Sequence, residues 1–369
     1  MNGIEISDLT GIINAVRPDS PTREFEVVRN LQNHVFCDMF FNSKLRKKGS
    51  GPSIERMIVL EGNGNVEWRL PFQRSTTNVK QLMKPQRIGW VHLSNSWGMD
   101  VFEAMTMQGA DPGQVMADEL DARRIKCYEE MMDEKESKGW DTPDYADDPY
   151  GPLGFPYWIC MGPVGFDDAD PDFQGYTVRY GDGTTSTTRA GINGSTYDKY
   201  RNLCATYNGT INEAFVQTLA DCFRLQSFAP ITIPGGTAGA KDFNGKDNAQ
   251  YELCMGNTPF RAIERYMRAR YDEFRSDLDP QGGKIRFRQV PMTWVKKLDT
   301  ATYDPIYGIN KKKFRPTVMM GKGGRVLIES EPMTDPGQHT TVVTKVDEYF
   351  NLLGENPREF GFVIHTPIS

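Results

Sequence analysis

The chain has 369 residues, 38% hydrophobic and 25% charged, with a net charge of −6 at neutral pH. This mildly acidic balance excludes the dense basic surface of a protein that wraps nucleic acid and leaves room only for weak phosphate contact. The 35 glycines and 23 prolines imply long loops around a modest core, in two or three domains or one with long excursions.

Residues 1–20 have no apolar period and read as an extended arm in which Ile12, Ile13 and Val16 are the candidate contact side chains. Ser20 and Pro21 open a helix whose apolar face is Val27, Val28, Leu31, Val35, Phe36, Met39 and Phe40. It ends in the basic run Lys44–Lys48, which suits a helix C-terminus. After a GSGPS loop, Met57, Val59 and Glu61 alternate with Ile58 and Leu60. Asn63-Gly64 is a strong hairpin signal, because both turn residues favour positive φ, and the arms resume with Val66, Trp68 and Leu70. An isolated hairpin is marginal in water. One rich in Ile58, Leu60, Trp68 and Leu70 therefore needs a second surface, its own domain's or a neighbour's.

QRIGWVHLS (86–94) reads as a strand. Asp111-Pro112 then caps a long helix over 111–138 that stops at Gly139, with Gln114 closing a capping box. Val115, Met116, Leu120, Ile125, Tyr128, Met131 and Met132 form its apolar stripe, and one stripe implies one buried side. Residues 141–200 are rich in turns. Helices are expected over 212–226 and 258–276, with a strand at 251–255 between them. The last ninety residues read mainly as strands: IRFRQVPMTWVKKL, TYDPIYGINKKKFRPTVMM, a GKGGRVLIES hairpin turning at Gly323-Gly324, a long strand over 339–350, and the tail FGFVIHTPIS.

Little of this carries chemistry. Cys37, Cys127, Cys160, Cys204, Cys222 and Cys254 form no CxxC pair and read as reduced, mostly buried thiols. His34, His92, His339 and His365 never fall at metal-ligand spacing. No phosphate-binding glycine loop, HExxH or GxSxG is present, so no catalytic residue and no cofactor is expected. Asp168, Asp170 and Asp172 alternate as a calcium loop begins, but Phe173 and Arg179 stand where such a loop needs Gly and Glu; the reading is a solvated acidic loop. Lys311–Lys313 reads as a solvated basic turn that would touch phosphate only if it faced inward. The first residues lack the basic start and apolar run of a secretory signal, and no stretch approaches the ~18 apolar residues of a membrane span. The expectation is cytoplasmic synthesis with no membrane partner.

An N-terminal arm, a projecting hairpin, a long one-sided helix, an irregular middle and a long late strand form an unusual order. Together with HTTVVTKVDEYFNLLGENPREFGFVI (339–364) and DPIYGIN (304–310), it resembles the major capsid proteins of tailed bacteriophages (Caudovirales type) over nearly the whole chain. The resemblance implies an α+β fold with an N-arm (1–47), an E-loop hairpin (48–80) and a P-domain segment (81–140) that includes the spine helix. An A-domain (141–280) follows, then P-domain strands with a return to the A-domain (281–369). It implies a non-enzymatic virion protein that self-assembles into pentamers and hexamers of an icosahedral head around double-stranded DNA. Ile58, Leu60, Asn63, Gly64, Trp68 and Leu70 of the E-loop would touch neighbours, as would Ile12, Ile13 and Val16 of the arm. Because the arm starts almost at Met1, a separate scaffolding protein is implied; the resemblance also implies a portal and leaves open whether a decoration protein binds. Covalent Lys–Asn crosslinking is not expected, since residues 53–72 hold no lysine and Lys47, Lys48 and Lys80 lie at the base. The alternatives are an encapsulin-like nanocompartment shell and an enzyme with an unrecognised site.

Overall fold

The computed structural model describes residues 33–41, 47–62, 64–70, 73–74, 79–106, 112–226, 251–270, 285–287, 290–321, 326–335 and 337–368. The chain begins there with helix α1 (Val35–Phe40), strands β1 (Lys47–Gly49), β2 (Ile54–Val59), β3 (Met83–Ile88) and β4 (Val91–Asp100), then helix α2 (Val101–Thr106). The long helix α3 (Pro112–Gly139) and a single turn, α4 (Phe155–Trp158), lead into β5 (Asp172–Gly175). Two small hairpins come next, β6 (Val178–Arg179) with β7 (Thr185–Ser186), and β8 (Thr188–Arg189) with β9 (Ile192–Asn193). After them lie β10 (Asn202–Thr206), α5 (Glu213–Gln226), β11 (Tyr251–Met255), α6 (Asn257–Arg270), β12 (Arg286–Phe287), β13 (Val290–Trp294) and β14 (Ile306–Asn310). The chain finishes with β15 (Phe314–Met319), β16 (Ile328–Glu329), β17 (Met333–Asp335), the 17-residue β18 (Gln338–Gly354) and β19 (Gly361–His365).

A six-stranded sheet is organised by β18. One edge pairs antiparallel with β4, from Thr341 opposite Asp100 to Phe350 opposite Val91. The other edge pairs in turn with β17, β16 and β15, and β1 adds parallel to β15. Val342, Thr344, Val346, Glu348 and Phe350 are buried, the period of two that puts one strand face inward. Helix α3 covers this face: its Met116, Leu120, Cys127 and Met131 pack with Trp97, Met99, Val342 and Val346.

The one-sided reading of this helix needs correction. Cys127 joins the stripe and Met132 is exposed, while Arg124 and Lys135 are buried on the stripe's own side and Asp121, Glu129, Asp133 and Glu136 on other sides. Buried charges persist when they are paired, and several here are paired across elements. Lys135 contacts Glu348 and sits over the rings of Phe41 and Phe350, Arg124 lies 3.5 Å from Glu329, and His34 lies 2.6 Å from Asp133. Glu136 accepts the backbone N–H groups of Phe36 and Cys37 at 3.1 and 3.0 Å and the indole N–H of Trp140 at 2.7 Å. Burial raises its carboxyl pKa against the lowering effect of those bonds. These contacts strap α1 along α3. The part of the expected helix before Asn33 lies outside the described residues.

The second sheet has seven strands in the order β12-β13-β11-β14-β19-β10-β5. All five residues of β10, of β11 and of β19 are buried, as befits strands covered on both faces. Leu203, Ala205, Leu253, Met255, Phe362 and Ile364 face α5 and α6 through Phe215, Leu219, Cys222 and Ile263. The alternate residues Cys204, Cys254 and Val363 join Phe155, Trp158, Phe314 and Phe350 in a core shared with the first sheet.

Two sequence expectations change here. The P-domain strands expected from 281 onward do not begin in the first sheet: β12, β13 and β14 belong with β11 and β19, and the switch to the first sheet comes at β15. The turn Gly323-Gly324 lies outside the described residues, and β16 beyond it pairs with β18 rather than folding back on β15. Gly308, inside the DPIYGIN stretch, lies so close to its neighbour strand that a Cβ there would stand 2.3 Å from the Phe362 ring.

Candidate assembly interface

Strand β2 pairs antiparallel with β3, from Ile54 opposite Ile88 to Val59 opposite Met83. The hairpin read at Asn63-Gly64 is therefore corrected. Val66, Trp68 and Leu70 lie outside any strand, and the returning arm comes about twenty residues later. The Asn-Gly pair is only a local turn signal, whereas pairing with 83–88 also buries Gln86 and Ile88 against the body. The projection accordingly spans about 50–88, and Lys80 sits beyond the paired ribbon rather than at its base.

The ribbon has two faces. On the inner one, Ile54 and Ile88 enter the shared core. Gln86 is fully buried and donates to the Tyr200 hydroxyl at 3.0 Å and the Gly354 carbonyl at 3.2 Å. Burial pushes the Tyr200 hydroxyl up to about 12, so it stays protonated. The Arg87 backbone N–H donates to Ala190 at 3.1 Å, and Arg56 pairs with Glu355. Facing out are an Arg87–Glu55 pair at 2.7 Å, worth at most about 1 kcal/mol at such exposure, and then Met57, Val59 and Met83, all exposed.

Beyond the ribbon the apolar side chains have no cover among the described residues. Trp68 is 102% exposed, Val66 99%, Val79 91% and Leu70 78%. Lone exposed apolar residues are ordinary, but a run of them that includes a bare tryptophan marks an interaction surface. Gly64 adopts φ +67° with open space around it. Leu60 behaves oppositely: 4% exposed, it packs on Ile192 and Tyr200, with Ile58 half-buried beside it. These two residues anchor the loop to its own body. Asn63, and Ile12, Ile13 and Val16 of the arm, lie outside the described residues. The sequence reading missed Gln86 and Glu136, the buried polar residues that fix ribbon and arm; only their place in otherwise plain stretches hinted at a role.

Elsewhere the structure offers little chemistry. Asp168 accepts the Asp170 N–H at 3.0 Å, and Asp172 accepts the Phe173 N–H at 2.6 Å and the Gln174 amide at 3.2 Å, so these carboxylates turn to local donors. Among the described residues no group of His, Cys, Asp or Glu is arranged to hold a metal ion. Lys311 pairs with Glu252, and Lys313 with Glu359. All six cysteines are buried and unbridged, and burial raises the thiols of Cys127 and Cys204 to about 12. Among the described residues no helix is long and apolar enough to cross a membrane.

An anchored ribbon ending in a bare apolar limb, a 28-residue helix on a sheet built around a 17-residue strand, and a second sheet covered on both faces together make an α+β fold. No protein-family model matches the sequence, and no curated protein matches it. Among solved structures the chain is similar to the cyanophage A-1(L) capsid asymmetric unit, with a TM-score of 0.60 and 12% identity over 95% of this chain and 99% of that one. It is also similar to the capsid of a native GTA particle, with a TM-score of 0.51 and 10% identity over 94% and 95%. For the capsid of Myoviridae phage XM1 the TM-score is 0.50 and the identity 10%, over 99% and 100%. At these identities the likeness is one of fold.

Proposed function

We propose that this chain is the major capsid protein of a tailed phage, a structural rather than catalytic subunit that closes into an icosahedral head around double-stranded DNA. The observation that carries the reading is the limb Val66, Trp68 and Leu70, left bare at the end of a ribbon whose root is firmly buried. A monomer gains nothing from this arrangement. A subunit whose loop lies on an identical neighbour buries that apolar surface without altering its body, and repeated head-to-tail contacts close into rings. The fold shared with capsid subunits over nearly the full chain supports the same reading. In this scheme 50–88 is the E-loop, 112–139 the spine helix, and β5, β10–β14 and β19 the A-domain sheet. Trp68 and Leu70 reach the neighbour while Leu60 holds the root. Pentamers and hexamers, a separate scaffolding protein, a portal and weak contact with packaged DNA complete the proposal.

Expression of the full chain with and without a candidate scaffolding protein, followed by electron microscopy, tests the reading. Closed shells with five- and six-fold capsomers are expected. A small scaffold-independent cage filled with a protein cargo would instead indicate a nanocompartment, and a chain that stays monomeric under every condition would end the proposal.

A further inference from the structure

An asparagine followed by glycine exposes its side-chain carbonyl carbon to the next backbone nitrogen, because glycine has no Cβ to block the approach. The sequence holds five such pairs, at residues 2, 63, 193, 208 and 244. Both members are described at 193–194 and at 208–209, and the two settings differ. Asn193 ends β9 and is locked: its Oδ1 accepts the Ser195 N–H at 2.8 Å, and its carbonyl accepts the Tyr197 N–H at 3.1 Å. The Gly194 N–H donates to the Thr187 carbonyl at 2.8 Å. Gly194 is buried, and a Cβ there would stand 2.7 Å from the Tyr176 side chain. Asn208 and Gly209 instead lie exposed in the turn from β10 to α5, and Gly209 has φ +69° with open space around it. Among the described residues nothing accepts the Gly209 N–H or holds the Asn208 amide.

We propose that Asn208 is a site of spontaneous modification, converted through a cyclic imide to aspartate and isoaspartate while Asn193 stays intact. Hydroxide takes the Gly209 amide proton, and that nitrogen attacks Cγ of Asn208. The N–Cγ bond forms, the Cγ–Nδ2 bond breaks, and Nδ2 leaves as ammonia with a proton from water. Water then opens the five-membered ring. Attack at Cγ restores the ordinary peptide as aspartate, and attack at the backbone carbonyl carbon leaves the chain running through Cγ as isoaspartate. One water is consumed and one ammonia released. At 193–194 the same attack first requires the Gly194 hydrogen bond and its turn to open, and that local unfolding adds to the barrier. The surroundings of Asn208 absorb the product. The buried Tyr207 donates its N–H to the His365 carbonyl at 3.0 Å and its hydroxyl to the Asp304 carbonyl at 3.1 Å. On the other side Asn212 Oδ1 accepts the Phe215 N–H at 3.0 Å, at the start of α5. The extra backbone carbon of isoaspartate falls between these anchors. Each converted copy moves from a net charge of −6 to one unit more negative, so an assembly of many copies gains acidic charge with age.

Ageing the purified full-length chain in mildly alkaline buffer, followed by mass spectrometry of its peptides, tests the proposal. Trypsin releases the two sites separately, in 190–199 and 202–224. The fraction converted at Asn208 is expected to exceed that at Asn193 at least about tenfold, equivalent to about 1.4 kcal/mol in the barrier. Labelling by an isoaspartyl methyltransferase should show isoaspartate in the 202–224 peptide. In chain unfolded with urea the two rates should come within about threefold of each other, since both backbones are then free. Asn208→Gln, which lengthens the side chain by one methylene, should silence the site without altering the melting curve. An unmodified Asn208, equal conversion at both sites in the folded chain, aspartate without isoaspartate, or a bias that survives unfolding each overturns the proposal. None of these outcomes bears on the shell-forming reading.

Discussion

The seven-stranded sheet and the loop between β2 and β3 treat apolar side chains in opposite ways. In the sheet, β10, β11 and β19 hide every residue, and alternate side chains fill two separate cores. In the loop, burial stops at Leu60, and Val66, Trp68 and Leu70 stand in solvent. Side chain for side chain, Val66, Trp68 and Leu70 are as apolar as those the strands hide. What separates them is whether the surface that completes them belongs to the same molecule. The first region stabilises the subunit, and the second, in the assembly proposed above, would stabilise only the contact between subunits.

The sharpest way to break this contrast is to charge the sheet. Leu203→Asp puts a carboxylate where exposure is nil, and an unpaired buried charge costs more than about 4–5 kcal/mol. Loss of soluble, cooperatively melting protein is expected, and a native-like melting curve would refute the two-sided burial. Gln86→Ala probes the join between the two regions. It leaves the Gly354 carbonyl and the Tyr200 hydroxyl short of a donor, a cost of about 1–3 kcal/mol, and hydrogen exchange should rise in β2 and β3 before it rises in β10.

A smaller effect comes from His365, at the end of β19. Its Nδ1–H donates to the Thr366 carbonyl at 2.8 Å, and its Nε2 accepts the Gly162 N–H at 3.2 Å. Burial lowers its pKa from the ordinary 6.5, so the folded state resists the proton that the unfolded chain accepts. Its contribution is full above about pH 6.5 and is lost as the pH falls from there through the depressed folded value. In melting curves taken between pH 7 and pH 5, His365→Gln should show a flatter acid decline than wild type. The smallest effect on the subunit is expected from Trp68→Ala, within about 0.5 kcal/mol by denaturant unfolding, although the same change abolishes shell closure. A drop of 2 kcal/mol or more in the isolated subunit would mean that Trp68 packs on its own body.

Local signals were legible in the sequence. Pro112 and Gly139 bracket the long helix because one fits a first turn and the other a stop, and the alternation from Thr341 to Phe350 reads directly as a strand with one inner face. Partner choice was not legible. Alternation states which way a side chain points, not which of several strands it will lie beside, so β2 was matched to the nearest apolar stretch rather than to β3, and β12–β14 were assigned to the wrong sheet. The charged sides of α3 read as solvent-facing because their partners, Glu348, Glu329 and the backbone of α1, lie about a hundred to two hundred residues away in the chain. The projecting limb was legible as a composition, but its separation into the anchors Ile58 and Leu60 and the free Trp68 and Leu70 depended on Tyr200 and Ile192, which no local pattern connects to it.

Strand β18 has a mechanical consequence. Seventeen residues at roughly 3.4 Å each extend for about 55–60 Å, so a single covalent segment crosses the subunit from the β17 turn to the shared core. A pull along that axis loads the peptide bonds of β18 directly. It reaches β4 as shear across a ten-residue ladder, in which the hydrogen bonds bear force side by side and cannot open one after another. A wall built from such struts resists in-plane stretching from within while its surface loops stay free to adjust.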